Sequence, residues 1–331
     1  MKRREFIGLI GGAAASPLVA RAQQAAKMKR VAMIHPATKP DDMRIGGDAN
    51  FAIIFEEIKR LGYVEGVNLT VDRYSAEGRF DRFPEIAHEV VATRPDAIFV
   101  LSDPLTLALK SETRTIPIVA WTGDPINAGL VSNLARPGGN ITGVSVDAGV
   151  GIGGKLLELL AEAVGKLSNA RELTTPTNWE RYKSFREAAE RLKIPLQLEP
   201  LRPPVNEASY RQAFETMQQD HVDGVVILAD AENYTHRHLL GRLAQECRLP
   251  AISLYTDTTE AGALMSYAFD LKAADRRIAA QIVEILNGGN PAEMPYFLEK
   301  HWELAINLKA AKELGLEIPA GLVAGADAVI E

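Results

Sequence analysis

Asp103, Asp124 and Asp230 each stand close behind a short apolar run, where the end of a buried strand brings a carboxylate to the rim of a cleft. A carboxylate in such a place can pair with a ligand ammonium through a charge-assisted hydrogen bond. Asp124 is the leading candidate because Gly123 and Pro125 fix a tight turn around it. Aspartate also caps helices well, and both roles can hold at once. Ser102 and Asp103 precede Pro104 and a helical run to Lys110, so amides at that helix start can receive a ligand carboxylate; simple capping by Asp103 is the alternative. Thr174, Thr175 and Asn178 offer neutral hydrogen bonds, with turn formation by Asn178 as the plainer role. His35 follows the first apolar run and can donate to a ligand carboxylate or shape the turn before Pro36. Trp121, Trp179, Tyr234 and Tyr255 can sandwich a planar solute by stacking or cation–π contact, or plug a core. These groups suit holding a small molecule rather than transforming it.

Catalytic patterns are missing. The sequence has no nucleophile elbow, phosphate loop or zinc-protease helix motif, so no catalytic residue, metal site or cofactor is expected. Gly149, Gly151, Gly153 and Gly154 lack phosphate-loop spacing and read as a hinge or the start of a helix. His236 and His238 are two apart, point to different faces of a helix and read as solvated. The single cysteine, Cys247, excludes an internal disulfide and a cysteine-rich zinc site, and reads as a buried apolar thiol. A net charge of −6 without a long basic stretch leaves a nucleic-acid partner no electrostatic footprint.

The elements that must position these residues alternate along the chain, as in an α/β fold with parallel sheets. Short β-rich runs at 30–34, 67–71, 97–101 and 116–120 alternate with helical spacing at 51–61 and 83–93. The same order returns at 171–175, 195–201, 224–228 and 250–254, with helices at 179–192 and 207–219. Individual residues echo as well. Arg94-Pro95-Asp96-Ala97-Ile98-Phe99-Val100-Leu101-Ser102-Asp103 parallels His221-Val222-Asp223-Gly224-Val225-Val226-Ile227-Leu228-Ala229-Asp230. Ile116-Pro117 leading to Asp124 and Ala128-Gly129 parallels Leu249-Pro250 leading to Asp257 and Ala261-Gly262. Two echoes in register indicate a duplicated unit. A chain of 331 residues is long for one core and comfortable for two lobes. If two such lobes face each other through their strand ends, the loops there line a shared cleft.

Residues 1–22 read as an address. Lys2, Arg3 and Arg4 head a weakly apolar stretch broken by glycines, and Ala20-Arg21-Ala22 fits a cleavage site after Ala22. Arg3-Arg4-Glu5-Phe6-Ile7 resembles a twin-arginine export signal. The stretch is too short and too glycine-rich to span a bilayer, so the expected product is a free periplasmic protein.

Five further stretches are distinctive: Leu61-Gly62-Tyr63-Val64-Glu65-Gly66, Gly123-Asp124-Pro125-Ile126-Asn127-Ala128-Gly129, Leu134-Ala135-Arg136-Pro137-Gly138-Gly139-Asn140, Glu260-Ala261-Gly262-Ala263-Leu264 and Ile306-Asn307-Leu308-Lys309-Ala310-Ala311-Lys312. Together they resemble one family of ABC-transporter substrate-binding proteins, which includes tryptophan- and phenylalanine-binding receptors. The resemblance implies a type I periplasmic-binding fold, two Rossmann-like lobes with parallel sheets joined by three crossovers. It implies a first lobe of 28–142 plus about 268–299 and a second of about 143–267 plus 300–331. Pro137-Gly138-Gly139-Asn140 would lead into the first crossover, 264–269 would form the second, and the third would fall near Trp302. The implied function is capture of a small solute, an aromatic amino acid or related aromatic or carboxylate compound, and delivery to ABC permease subunits in the inner membrane. The protein itself would be a monomer, neither membrane-embedded nor an enzyme. A ligand sensor partnering a membrane receptor, or an exported α/β enzyme, are the competing readings. One departure matters: Leu173-Thr174-Thr175-Pro176-Thr177-Asn178-Trp179 replaces a more apolar strand and an Asn-Pro or Ser-Ser pair, so ligand identity does not transfer from the relatives.

Overall fold

The computed structural model describes residues 28–146, 150–181 and 183–331. The export-signal reading of residues 1–22 and the position of Gly149 lie outside the described residues. Within them, parallel strands rich in Val, Ile, Leu and Ala assemble into two sheets covered by helices on both faces, the arrangement that near-continuous apolar strands require. The strands are β1 Lys29–His35, β2 Leu69–Ser75, β3 Ala97–Leu101, β4 Ile118–Thr122 and β5 Ile141–Ser145. The series continues with β6 Ala170–Thr174, β7 Leu196–Pro200, β8 Gly224–Ile227, β9 Ala251–Ser253 and β10 Met265–Phe269, then β11 Phe297–Leu298, β12 Trp302–Asn307 and β13 Ala328–Ile330. One sheet has the order β11-β5-β4-β3-β1-β2, the other β13-β12-β10-β9-β8-β6-β7. Only β12 runs antiparallel to a described neighbour, β10.

The helices start where local chemistry permits. Asp48 accepts from the Asn50 amide and caps Ala49–Arg60. Asn206 and Ser209 close a reciprocal capping box on Glu207–Gln219, and Pro84 occupies the first turn of Phe83–Ala92, where its missing N–H is harmless. The expected helix over 179–192 begins earlier, as Pro176–Arg181 and Lys183–Leu192, because Pro176 suits a first helical position better than Trp179 does. Gly153 lies within the helix Val150–Val164 and admits Phe185: a Cβ there would come within 2.7 Å of that ring.

The chain passes between the sheets three times among the described residues. Pro137-Gly138-Gly139-Asn140 leads into β5, which stays in the first sheet three residues beyond the expected boundary at 142. The reason is tight strand pairing. Gly143 faces Ala120 in register, and a Cβ there would lie 1.8 Å from the Ala120 carbonyl oxygen. Residues 264–269 hold β10 of the second sheet instead of a crossover, and the chain crosses at Asp270, which caps the helix Leu271–Leu286 through the Ala273 amide. That helix returns to the first lobe, where Gln281 donates to the carbonyls of Gly143 at 3.1 Å and Pro295 at 3.3 Å. The third passage lies between β11 and β12.

One hydrophobic cluster runs through both lobes by way of Trp121, Tyr234, Tyr255 and Phe269. Overpacking a closely fitted position costs about 1–3 kcal/mol and sometimes more. Replacing Gly143 with Ala forces β4 and β5 apart, and urea unfolding is expected to show a loss of about 3 kcal/mol; an unchanged midpoint would show that the strand contact does not constrain the sheet.

Candidate functional site

The carboxyl ends of β3, β4, β8 and β9 deliver Ser102, Asp103, Trp121, Thr122, Asp230 and Tyr255 to one cavity of about 200 Å³ between the lobes. Thr175 joins from the end of β6, Asn178 from the helix Pro176–Arg181, and Phe80 and Phe83 from the segment after β2. Glu232 and Tyr234 arrive on the short helix Ala231–Thr235. The volume far exceeds the roughly 10–15 Å³ that a single water needs. Its wall is aromatic on both sides: Phe80, Phe83 and Trp121 from the first lobe, Tyr234 and Tyr255 from the second. Trp121 and Tyr234 lie 6.4 Å apart and Tyr234 and Tyr255 5.8 Å, tilted or edge-on, so each ring supports the next.

The charged groups of the lining are all acidic: Asp103, Asp230 and Glu232 stand among the neutral Ser102, Thr122, Thr175, Thr177 and Asn178. Asp230 is 6% exposed; Thr174 donates its hydroxyl to Oδ2 and Asn178 its amide to Oδ1 at 2.8 Å. Desolvation still lifts its carboxyl to about 6, with those two hydrogen bonds opposing the rise. Burial, with Asp230 nearby, raises Glu232 to about 8. Asp103 sits across the cavity and accepts from the Gly123 amide at 3.1 Å. Outside the lining, on β6, Glu172 is 1% exposed, neither oxygen has a hydrogen-bond partner, and burial raises its carboxyl to about 8. Ser102 adds a strained element. Its φ of 123° is rare for a residue with a Cβ, while its amide donates to the Trp121 carbonyl at 3.1 Å.

Contacts between the lobes flank the cavity. Asn50 donates to the Tyr234 hydroxyl, which donates to Asp48 at 3.1 Å. Arg237 Nη1 donates to Asp48 at 3.2 Å and Nε to Asp257 at 2.6 Å, and the guanidinium lies 4.6 Å from the Tyr234 ring centre. Thr38 and Thr235 share a hydroxyl contact of 3.0 Å. On another edge the Val205 amide donates to the Gly78 carbonyl at 3.3 Å.

Four expected site residues stand elsewhere. Asp124 lines a separate groove with Glu299 and Lys300; its Oδ1 accepts from the amides of Ile126 and Asn127 at 3.0 Å. Its carboxylate is engaged by its own turn, and no helix follows for it to cap. Trp179 lies inside a helix turn and holds Arg186 4.9 Å from its ring centre, outside the cavity lining. His35 is fully buried behind Tyr234, and its Nδ1 accepts from the amides of Ala37 and Thr38, the turn role. Burial lowers it to about 3. Thr174 acts through Asp230 and does not line the cavity. Elsewhere, His236 is half-buried against Tyr210, 4.8 Å between ring centres, and Cys247 is half-buried.

Sequence reasoning missed Phe80, Phe83, Thr122, Thr177 and Glu232. Phe83 stands there only as the start of the helical run 83–93, Phe80 carries no assignment, and neither does Glu232. Its spacing two residues after Asp230 was the one available signal.

A sequence profile described as ABC transporter substrate binding protein matches residues 46–330. A tyrosine-binding protein of Clostridioides difficile is 24% identical over 264 residues, 77% of this chain and 73% of that protein. A conserved domain protein of Vibrio cholerae superposes with a TM-score of 0.78 at 26% identity, covering 92% of this chain and 100% of that one. A Streptococcus pneumoniae ABC domain in complex with L-Trp gives 0.74 at 22% identity, covering 91% and 99%.

The unpaired acid makes a pH prediction. Glu172 keeps its proton in the folded state up to about 8 but loses it near 4.5 when unfolded. The folded state then binds more protons across that window, so this group's contribution to stability falls as pH rises from about 5 to 8. Glu172→Gln removes the effect: its stability relative to wild type is expected to grow by up to about 1 kcal/mol per pH unit there. Parallel pH profiles of the two proteins in urea titrations would dismiss the assignment.

Proposed function

The chain belongs to the ABC transporter substrate-binding protein family and has the type I periplasmic-binding fold, and on that premise we propose that it captures a small solute in the interlobe cavity, closes over it and delivers it to a membrane permease. The observation that carries this reading is the convergence of both sheets' strand ends on one cavity with an aromatic wall and buried carboxylates. Open α/β sheets bind ligands at that end. Aromatic faces flank a flat body with large contact area, while Asp230 and Asn178 fix the orientation of a polar group. Relatives described as binding tyrosine and L-Trp support an aromatic amino acid or a related aromatic compound.

The working form acts as a monomer; that it is exported and cleaved after Ala22 is a reading supported by the sequence of residues 1–22. No helix among the described residues is long and apolar enough to cross a membrane. Binding energy is spent on closure rather than on chemistry: the contacts of Asp48 and Asn50 with Tyr234 and Arg237 form only when the lobes approach, and a ligand between Trp121 and Tyr255 favours that approach. The solute leaves chemically unchanged.

The mature chain, with Cys247 replaced by Ser and spin labels on Glu56 and Arg242, reports the lobe distance. Addition of tryptophan, tyrosine or a related aromatic solute is expected to raise the melting temperature and narrow the distance distribution toward a closed value. Binding that leaves the distance distribution untouched overturns the reading. Asp230→Asn is expected to weaken ammonium-bearing solutes by about tenfold or more, yet to raise the melting temperature of the ligand-free protein at pH 8, since a buried charge is gone. Isothermal titration and thermal melts of the same preparation check both halves.

A further inference from the structure

We propose that the cavity selects aromatic amines over the corresponding amino acids: the ligand is a net cation, its ammonium seated beside Asp230 and Glu232 with Asp103 across the cavity, and it carries no carboxylate. This rests on the reading of the interlobe cavity as the ligand site. Three carboxyl side chains line the cavity, and among the described residues no lysine, arginine or histidine does. An amino acid would bring a carboxylate into this acidic, poorly solvated space and need donors to hold it.

The usual seats for such an anion already hold a carboxylate, although neither carboxylate bonds the amides of its own helix. In an α/β cleft a ligand carboxylate is received by backbone amides at helix starts. Here Asp103 is the first residue of the helix Asp103–Glu112, and Asp230 is the N-cap of Ala231–Thr235. Each carboxylate already stands at the positive end of its helix and repels a second anion from the same place. The duplication put them there, since Asp103 and Asp230 are the matching residues of the two echoed segments.

Glu232 supplies an independent observation. It is 5% exposed, lines the cavity, and its carboxyl meets only its own backbone amide. A buried acid that faces a cavity and is held only by its own amide keeps acceptor capacity for a ligand donor. Asp230 uses Thr174 and Asn178 for orientation and retains acceptor capacity on both oxygens. The aromatic wall adds to the same preference, because aromatic rings such as Trp121 and Tyr255 attract a cation and not an anion, while Tyr234 already carries the Arg237 guanidinium.

Matched pairs that differ by a single carboxylate test the proposal: tryptamine against tryptophan, tyramine against tyrosine and phenethylamine against phenylalanine, titrated calorimetrically into the mature protein at low salt. The amine is expected to bind at least about tenfold tighter than its amino acid. In Glu232→Gln the amine is expected to lose about tenfold while the amino acid changes little, which closes the gap. Equal or tighter binding of the amino acids overturns the proposal and leaves solute capture standing, as does closure of the lobes by neutral or anionic solutes alone. If no small solute binds or moves the lobes, solute capture itself fails and the amine preference with it. Should Glu232→Gln not fold, the wild-type pairs decide by themselves.

Discussion

The phenol of Tyr234 reaches from the second lobe into the first, where Asn50 donates to its oxygen and Asp48 accepts its proton at 3.1 Å. Its ring sits among His35, Trp121 and Tyr255, with the Arg237 guanidinium over it. One side chain thus belongs to the lobe contact, the continuous apolar cluster and the cavity wall. Asp48 is equally shared, for it caps the helix Ala49–Arg60 while receiving Tyr234 and Arg237. A shift of the short helix Ala231–Thr235 would disturb the cavity and the lobe contact together. Packed interiors transmit such shifts because they are dense and resist continuous deformation.

Around that contact the protein keeps acids where water is scarce. Asp230, Glu232 and Glu172 are all buried and all raised, each chiefly by desolvation. Burying an ionised carboxylate without a cation is costly. Thr174 and Asn178 offset part of the cost at Asp230 but not at Glu172, whose oxygens have no hydrogen-bond partner. The strained backbone of Ser102 adds to this concentration of unfavourable terms at one place.

Much of the architecture was legible in the residues. Helical spacing at 207–219 became the helix Glu207–Gln219, and the apolar run at 97–101 became β3 Ala97–Leu101. Periodicity reports which faces are buried, and burial is what makes an element. The internal echo also carried through to the site, because Ser102-Asp103 and Ala229-Asp230 both open onto the cavity. Crossover positions were less legible: β5 and β10 extend a sheet where the sequence offered a turn or a linker, and only strand pairing with β4 and β9 settles that.

The sequence by itself determined the element order, the duplicated plan and a pool of polar residues at strand ends. Tertiary structure decided which of that pool face the cavity. Asp124 and Asp230 look alike in sequence, each an aspartate closely following an apolar run. Asp124 is held by the amides of its own tight turn, whereas Asp230 has no side-chain bond to its helix and instead takes Thr174 and Asn178 from a neighbouring segment. Local amides compete for a carboxylate over a few residues of chain. Partners such as Thr174, 56 residues away, enter the competition only once β6 and β8 pair. The same holds for Phe80, Phe83 and Glu232, whose place in the cavity depends on how the two lobes meet.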